Sequence, residues 1–121
     1  MLDGRLPLFR GYDDGYMQLD DRKLLTGFVL HQGEVTAPWG PETLADVTPG
    51  HLAHIFATPP EVLLVGTGRK TAFPSGAVMK ALDEAHIGYE FMDSRAAART
   101  YNILVEEGRN VSVAMLLPGT G

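Results

Sequence analysis

The sequence predicts an α/β fold with a mixed sheet, in which an N-terminal antiparallel meander continues into C-terminal βαβαβ units. Three observations carry this. Short strand-like segments separated by polar turns fill the first third of the chain. Val62-Leu63-Leu64-Val65 is apolar without alternation, the pattern of a strand covered on both faces. From there the order is strand, helix, strand, helix, strand, which favours parallel pairing through right-handed crossovers. Residues 1–121 are read as one domain, since 121 residues is one domain's length.

The first fifteen residues or so carry glycine, proline and acidic side chains without a period, and read as a loosely held N-terminal arm. Tyr16–Leu19 is the first strand and Asp20-Asp21-Arg22 a polar turn. Leu24–Leu30 is a second strand, with Leu24, Thr26, Phe28 and Leu30 on one face. His31-Gln32-Gly33 turns the chain into a short strand at Glu34–Ala37. Pro38, Gly40 and Pro41 then break the pattern.

Thr48-Pro49 has the form of a helix start, with threonine at the N-cap and proline at the first helical position. Leu52, Ile55 and Phe56 share a face of that helix, and Pro59-Pro60 stops it. After Val62–Val65 comes the loop Gly66–Thr71. Pro74-Ser75 opens a helix to about His86, striped by Val78, Leu82 and Ala85. Tyr89–Phe91 is a strand. Asp93 or Ser94 caps a helix running to Glu107, with Ala97, Tyr101, Leu104 and Val105 on its buried stripe and Gly108 at C′. Val111–Leu117 is the last strand.

Composition narrows the function. The chain is 45% hydrophobic and 21% charged, proportions that fit a folded domain and not a disordered one. With 10 basic and 15 acidic residues the net charge is −5, which argues against nucleic acid and anionic membranes as partners. A nucleic-acid face would have to be assembled locally from Arg69, Lys70, Arg95, Arg99 and Arg109. There is no cysteine, so disulfides, thiolate metal sites and a cysteine nucleophile are excluded. No apolar run approaches the length of a membrane-spanning helix or a secretory signal, and a cytoplasmic location is the expectation.

At Leu64-Val65-Gly66-Thr67-Gly68 and from Phe91-Met92-Asp93-Ser94 through Ala98-Arg99-Thr100-Tyr101-Asn102-Ile103-Leu104 to Glu107-Gly108-Arg109, the chain resembles the Mth938-like family, also called DUF498. Thr100-Tyr101-Asn102 followed by Glu107-Gly108-Arg109 is the specific part, and the resemblance runs from about Tyr16 to the C-terminus. It implies a compact three-layer α/β domain with a mixed central sheet. The family holds bacterial and archaeal proteins of unassigned activity and a mitochondrial branch that assists assembly of respiratory complex I. Many members carry cysteine where this chain has Ala98, so a thiol role is closed to it.

Gly66, Thr67, Gly68, Arg69 and Lys70 follow a buried strand and precede a helix. Loops at the carboxyl ends of parallel strands bind ligands in open α/β sheets, and backbone N–H groups there can hold an anion. Asp93, Ser94 and Arg95 follow the neighbouring strand and should open on the same rim. The spacing matches neither a Walker loop nor G-x-G-x-x-G. Two readings stand side by side: a tight turn needing a positive-φ glycine, and a binding site for a small anion or partner.

Asp93, Ser94 and Ser75 are all explained by helix capping. His51 and His54, three apart, would need Asp46 or Glu61 as a third ligand to bind zinc, and no metal site or cofactor is expected. Asn102, a poor residue for a helix interior, points to a side-chain bond with a neighbouring loop. Arg99 lies toward the Gly66–Arg69 loop or in water, and Trp39 covers the sheet edge or, if exposed, anchors a partner. With no complete catalytic set, the expectation is a non-catalytic interaction or assembly-type protein. The alternative is a small-anion binder or enzyme using Gly66–Lys70 and Asp93–Arg95. A protein partner leads the expected contacts, with a second copy of the chain as a further one.

Overall fold

The computed structural model describes residues 6–121. Among the described residues eight strands form two sheets. β1 (Phe9–Asp13), β2 (Tyr16–Leu19) and β3 (Arg22–Leu24) make a three-stranded antiparallel meander. β4 (Phe28–His31), β5 (Glu34–Thr36), β6 (Val62–Gly66), β7 (Gly88–Met92) and β8 (Val111–Met115) make the central sheet, in the order β5-β4-β8-β6-β7. β6 lies between β7 and β8 and is parallel to both, while β4 joins β8 antiparallel. The sheet is therefore mixed. The unbroken apolar run at Val62–Val65 is explained by this central position, where both faces are covered.

The alternation of β4, β6 and β8 divides the core in two. Phe28, Leu30, Leu64, Val111, Val113 and Met115 face the small sheet and helix α3 (Ser94–Glu106). Val29, Leu63, Val65, Ala114 and Leu116 face α1 (Ala53–Ala57) and α2 (Gly76–Glu84). This is the three-layer arrangement that the family resemblance implies. The crossover from β6 to β7 passes over one face through α2, and that from β7 to β8 over the other through α3.

Local signals account for most elements. Gln32 (φ 53°) and Gly33 (φ 80°) are both left-handed, as a two-residue hairpin turn between His31 and Glu34 requires. Asp93 caps α3, its Oδ1 accepting from Ala96 N at 3.0 Å. Gly108 (φ 81°) ends α3 with paired bonds from Gly108 N to Val105 O (2.9 Å) and from Arg109 N to Leu104 O (3.0 Å). These are the two bonds of a Schellman cap. Thr48-Pro49 starts a 3-10 turn over Pro49–Leu52 that leads into the short α1, so the expected single helix is two unlike pieces. Ser75 sits at the N-cap of α2 without a side-chain cap bond.

Two expectations are corrected. The N-terminal arm was expected to be loose to about residue 15, but Phe9–Asp13 is β1; residues 1–5 lie outside the described residues. Phe9 is buried, with its ring 6.0 Å from Phe28 and 5.3 Å edge-on from Tyr101. The period was hidden because β1 carries a bulge between Phe9 and Gly11, which breaks alternation. The strand expected over Leu24–Leu30 is divided between the sheets. Leu25 and Thr26 are exposed at the crossing, and a side chain at Gly27 would stand 3.1 Å from Met115 O. Gly27 O also accepts from Trp39 N at 2.9 Å, so the chain bends there.

Phe9→Ala should lower unfolding stability by about 3–5 kcal/mol in urea titration, the usual cost of emptying a buried aromatic site. A loosely held arm would show almost no change.

Candidate functional site at the carboxyl ends of the parallel strands

β6 and β7 run side by side and parallel, with Gly66 opposite Met92, so the loops leaving them meet at one rim. They depart to opposite faces, the arrangement that opens a crevice in α/β sheets. The chain itself packs this rim. Thr67 N donates to Met92 O at 2.8 Å. Thr67 Oγ1 lies 2.6 Å from Lys70 O and accepts from Ala72 N at 3.2 Å, so the loop is wound around its own hydroxyl. Ser94, fully buried, donates from Oγ to Leu116 O (2.6 Å) and accepts from Gly68 N (2.8 Å). Its own N–H donates to Gly68 O at 2.9 Å.

The glycines answer to these close approaches. A Cβ at Gly66 would stand 2.9 Å from Ser94 Oγ and closer still to Met115 Sδ. Gly68 has φ +100°, and a side chain there would run into Thr120 O. Gly66 is set by packing, and Gly68 by both conformation and packing.

The two arginines of the rim are engaged. Arg69 donates from Nη2 to Gly119 O (3.0 Å) and from Nε to Gly121 O (3.2 Å), with Nη1 3.5 Å from Asp14 Oδ2. Arg95 donates from Nη2 to Asp14 Oδ1 at 2.8 Å and lies over the Tyr12 ring. Gly119 N donates to Asp14 O at 2.8 Å. The β1–β2 hairpin tip thus docks on residues 117–121 and on both arginines. The bond from Arg95, then the nearby Arg69 charge, hold the exposed Asp14 carboxyl below its ordinary range. Lys70 is exposed on the same loop.

Arg99 and Asn102 lie on α3 away from this rim and reach β1 instead. Arg99 Nη1 donates to Tyr12 OH at 2.8 Å. Asn102 Oδ1 accepts from Phe9 N and its Nδ2 donates to Phe9 O, both at 2.8 Å. One side-chain amide thus pairs with the backbone of the outer strand as a neighbouring strand would. A groove of about 350 Å³ runs between these residues and Phe9–Tyr12. Burial, with a smaller effect from Asp20, pushes the neighbouring Tyr101 phenol up to about 12.

Trp39 is 8% exposed, and its Nε1 donates to His51 O at 2.9 Å. It belongs to the core under α1, so the exposed-anchor alternative is corrected. His51 Nδ1 accepts from Thr48 N at 2.9 Å. Glu61, one of the third ligands considered for zinc, is bonded to Arg109 (3.0 Å) and Asn110 N (3.1 Å). Among the described residues no three His, Asp or Glu side chains cluster as a metal site would require.

Sequence reading missed Asp14, Tyr12 and the 117–121 loop. A usable signal was present for the first two. Asp14-Gly15 between Phe9–Asp13 and Tyr16–Leu19 is a hairpin dipeptide.

Asn102→Ala removes both bonds to Phe9 and should cost about 1–3 kcal/mol in urea unfolding, because it strands backbone groups of an outer strand. Asn102→Asp, which keeps only the acceptor, should fall between. The lowered Asp14 carboxyl stabilises the fold above its unfolded pKa, and that stabilisation is lost as pH falls through the folded value. The stability gap between wild type and Asp14→Asn should therefore be open near neutrality and close in acid, as read by urea titrations across that range.

The chain resembles proteins of several organisms. It is 31% identical to an uncharacterised protein of Rhodobacter capsulatus over 96% of this chain and 89% of that one. It is 37% identical over 75 residues to a Francisella tularensis protein called 13 kDa major membrane protein, covering 62% of this chain and 61% of the other. NADH dehydrogenase [ubiquinone] 1 alpha subcomplex assembly factor 3 of Bos taurus is 28% identical over 78% of this chain and 58% of its own length. The chain thus spans about three fifths of the Francisella and bovine relatives.

Two solution structures superpose closely. One, from Xanthomonas campestris, has a TM-score of 0.84 at 34% identity, covering 100% of this chain and 92% of the other. The second is a Mth938-like domain from Bordetella pertussis, with a TM-score of 0.80 at 32% identity, covering 100% and 91%. The family model described as protein of unknown function (DUF498/DUF598) matches residues 9–116, from the start of β1 to just past β8, and the chain belongs to that family.

Proposed function

We propose that this chain is a non-catalytic protein-interaction factor that assists assembly of a respiratory complex, working from the cytoplasm. The observation that carries the reading is the match to the bovine assembly factor over 78% of this chain, so that most of the chain has a counterpart in that protein.

The rim geometry supports the same reading. Arg69 and Arg95 are bonded to Asp14 and to carbonyl groups, and Gly68 is packed against Thr120. The two arginines and the N–H groups of Thr67, Gly68 and Arg69 are already holding strand exits together. Among the described residues no helix is long and apolar enough to cross a membrane, so a membrane-embedded client would be met at its exposed surface.

Deleting the gene in the host should reduce quinone-linked NADH oxidation in isolated membranes and leave a partial complex on native gels, both restored by re-expressing the chain. A fully assembled complex at normal level in the deletion strain would overturn the proposal.

A further inference from the structure

Among the described residues the two sheets have four outer strands, and three of them are guarded against further pairing. The outer groups of β1 at Phe9 are taken by the Asn102 amide. β3 is three residues long and carries Arg22 and Lys23, and β5 is three residues long and runs into Pro38. Short length, charge and proline are the usual guards of a sheet edge. β7 is five residues long and free of proline, and its single charge is the exposed Glu90 at its centre.

The parity of β7 follows from one bond. Met92 O accepts from Thr67 N, so the backbone groups of Met92, Glu90 and Gly88 turn toward β6. Those of Tyr89 and Phe91 turn outward, since successive residues of a strand alternate. The outward residues carry the aromatic side chains. Tyr89 and Phe91 have ring centres 5.3 Å apart, and Phe73, 66% exposed, stands edge-on to Phe91 at 5.8 Å. Three rings therefore line one side of the open edge. Glu90, exposed, projects from the other face at its midpoint.

We propose that the β7 edge receives an extended segment of a partner protein as an added antiparallel strand, with lysine or arginine opposite Glu90 and apolar residues beside it opposite Tyr89 and Phe91. The proposal rests on the reading of the chain as an interaction protein and names the surface. Charge selects the occupant. Self-pairing of two copies that uses all four outward groups sets Glu90 opposite Glu90, with Cα atoms about 4.5 Å apart and like charges facing. A basic residue in that position turns the repulsion into attraction, in keeping with the net charge of −5. Strand addition takes affinity from the backbone and specificity from alternate side chains, and here those are Glu90 on one face and the aromatic row on the other.

The test is an amide NMR titration of the full chain with two peptides, acetyl-Thr-Ile-Lys-Ile-Thr-amide and the same peptide with glutamate at the centre. The Tyr89 and Phe91 amides should shift more than those of Gly88 and Glu90. The lysine peptide should bind about fivefold more tightly than the glutamate one, the size expected of a cross-strand charge pair reversed. Glu90→Lys, a surface change, should invert that order. No shift at Tyr89 and Phe91, or equal binding of the two peptides by the wild type, would overturn the proposal. So would a dimer in sedimentation that Tyr89→Pro dissolves while neither peptide binds. An assembly defect on gene deletion with no peptide response removes the edge and keeps the assembly role; peptide binding without an assembly defect does the reverse.

Discussion

The rest of this structure depends on one buried hydroxyl. Ser94 stands where β7 becomes α3, and its Oγ joins Gly68 N on the exit of β6 to Leu116 O on the exit of β8. Three parallel strands that would otherwise splay at their carboxyl ends are drawn to one atom. Each partner is a backbone group that burial would leave unsatisfied without it. The requirement propagates outward: Gly66 has no side chain because Ser94 and Met115 occupy the space, and Gly68, at positive φ, has none because Thr120 lies against it. A loop that resembles a ligand cradle in one dimension is a seam in three.

The small sheet is held by the opposite strategy, with polar side chains reaching from α3 to a strand. Asn102 pairs with Phe9 and Arg99 reaches Tyr12, while Arg95 and Arg69 converge on Asp14 at the hairpin tip. The exposed ion pairs contribute little each, but they share one carboxylate and orient the turn. Apolar contacts beneath them, Phe9 against Phe28 and Tyr101, supply the cohesion. Helix α3 thus serves two sheets at once. Its alanine-rich inner face admits the central sheet closely, and its polar flank takes the place of a fourth strand in the meander.

How much was legible in the sequence follows from the range of each interaction. Local signals read well: the Asp93 cap, Gly108, the Gln32-Gly33 turn, and the unbroken apolar run of β6 all depend on neighbours within a few residues. The parallel alignment of β6 and β7 also follows, because a helix between strands permits little else. The division of Leu24–Leu30 at Gly27 was not legible, since it depends on Met115 and Trp39 far along the chain. Nor was the fate of Arg69 and Arg95. Their charge was visible, but their partner Asp14 is more than fifty residues from either, in the turn that follows a bulged strand without a period. Asn102 falls between: its unsuitability for a helix interior marked it, and only the fold showed which backbone it would reach.

The Asn102 clasp also has a consequence for biosynthesis. It joins residues 93 positions apart, so β1 cannot be locked to α3 until Asn102 too has left the ribosome. Until then that strand keeps open hydrogen-bonding groups beside the unburied ring of Phe9. In that interval the meander is the part a chaperone would most need to shield.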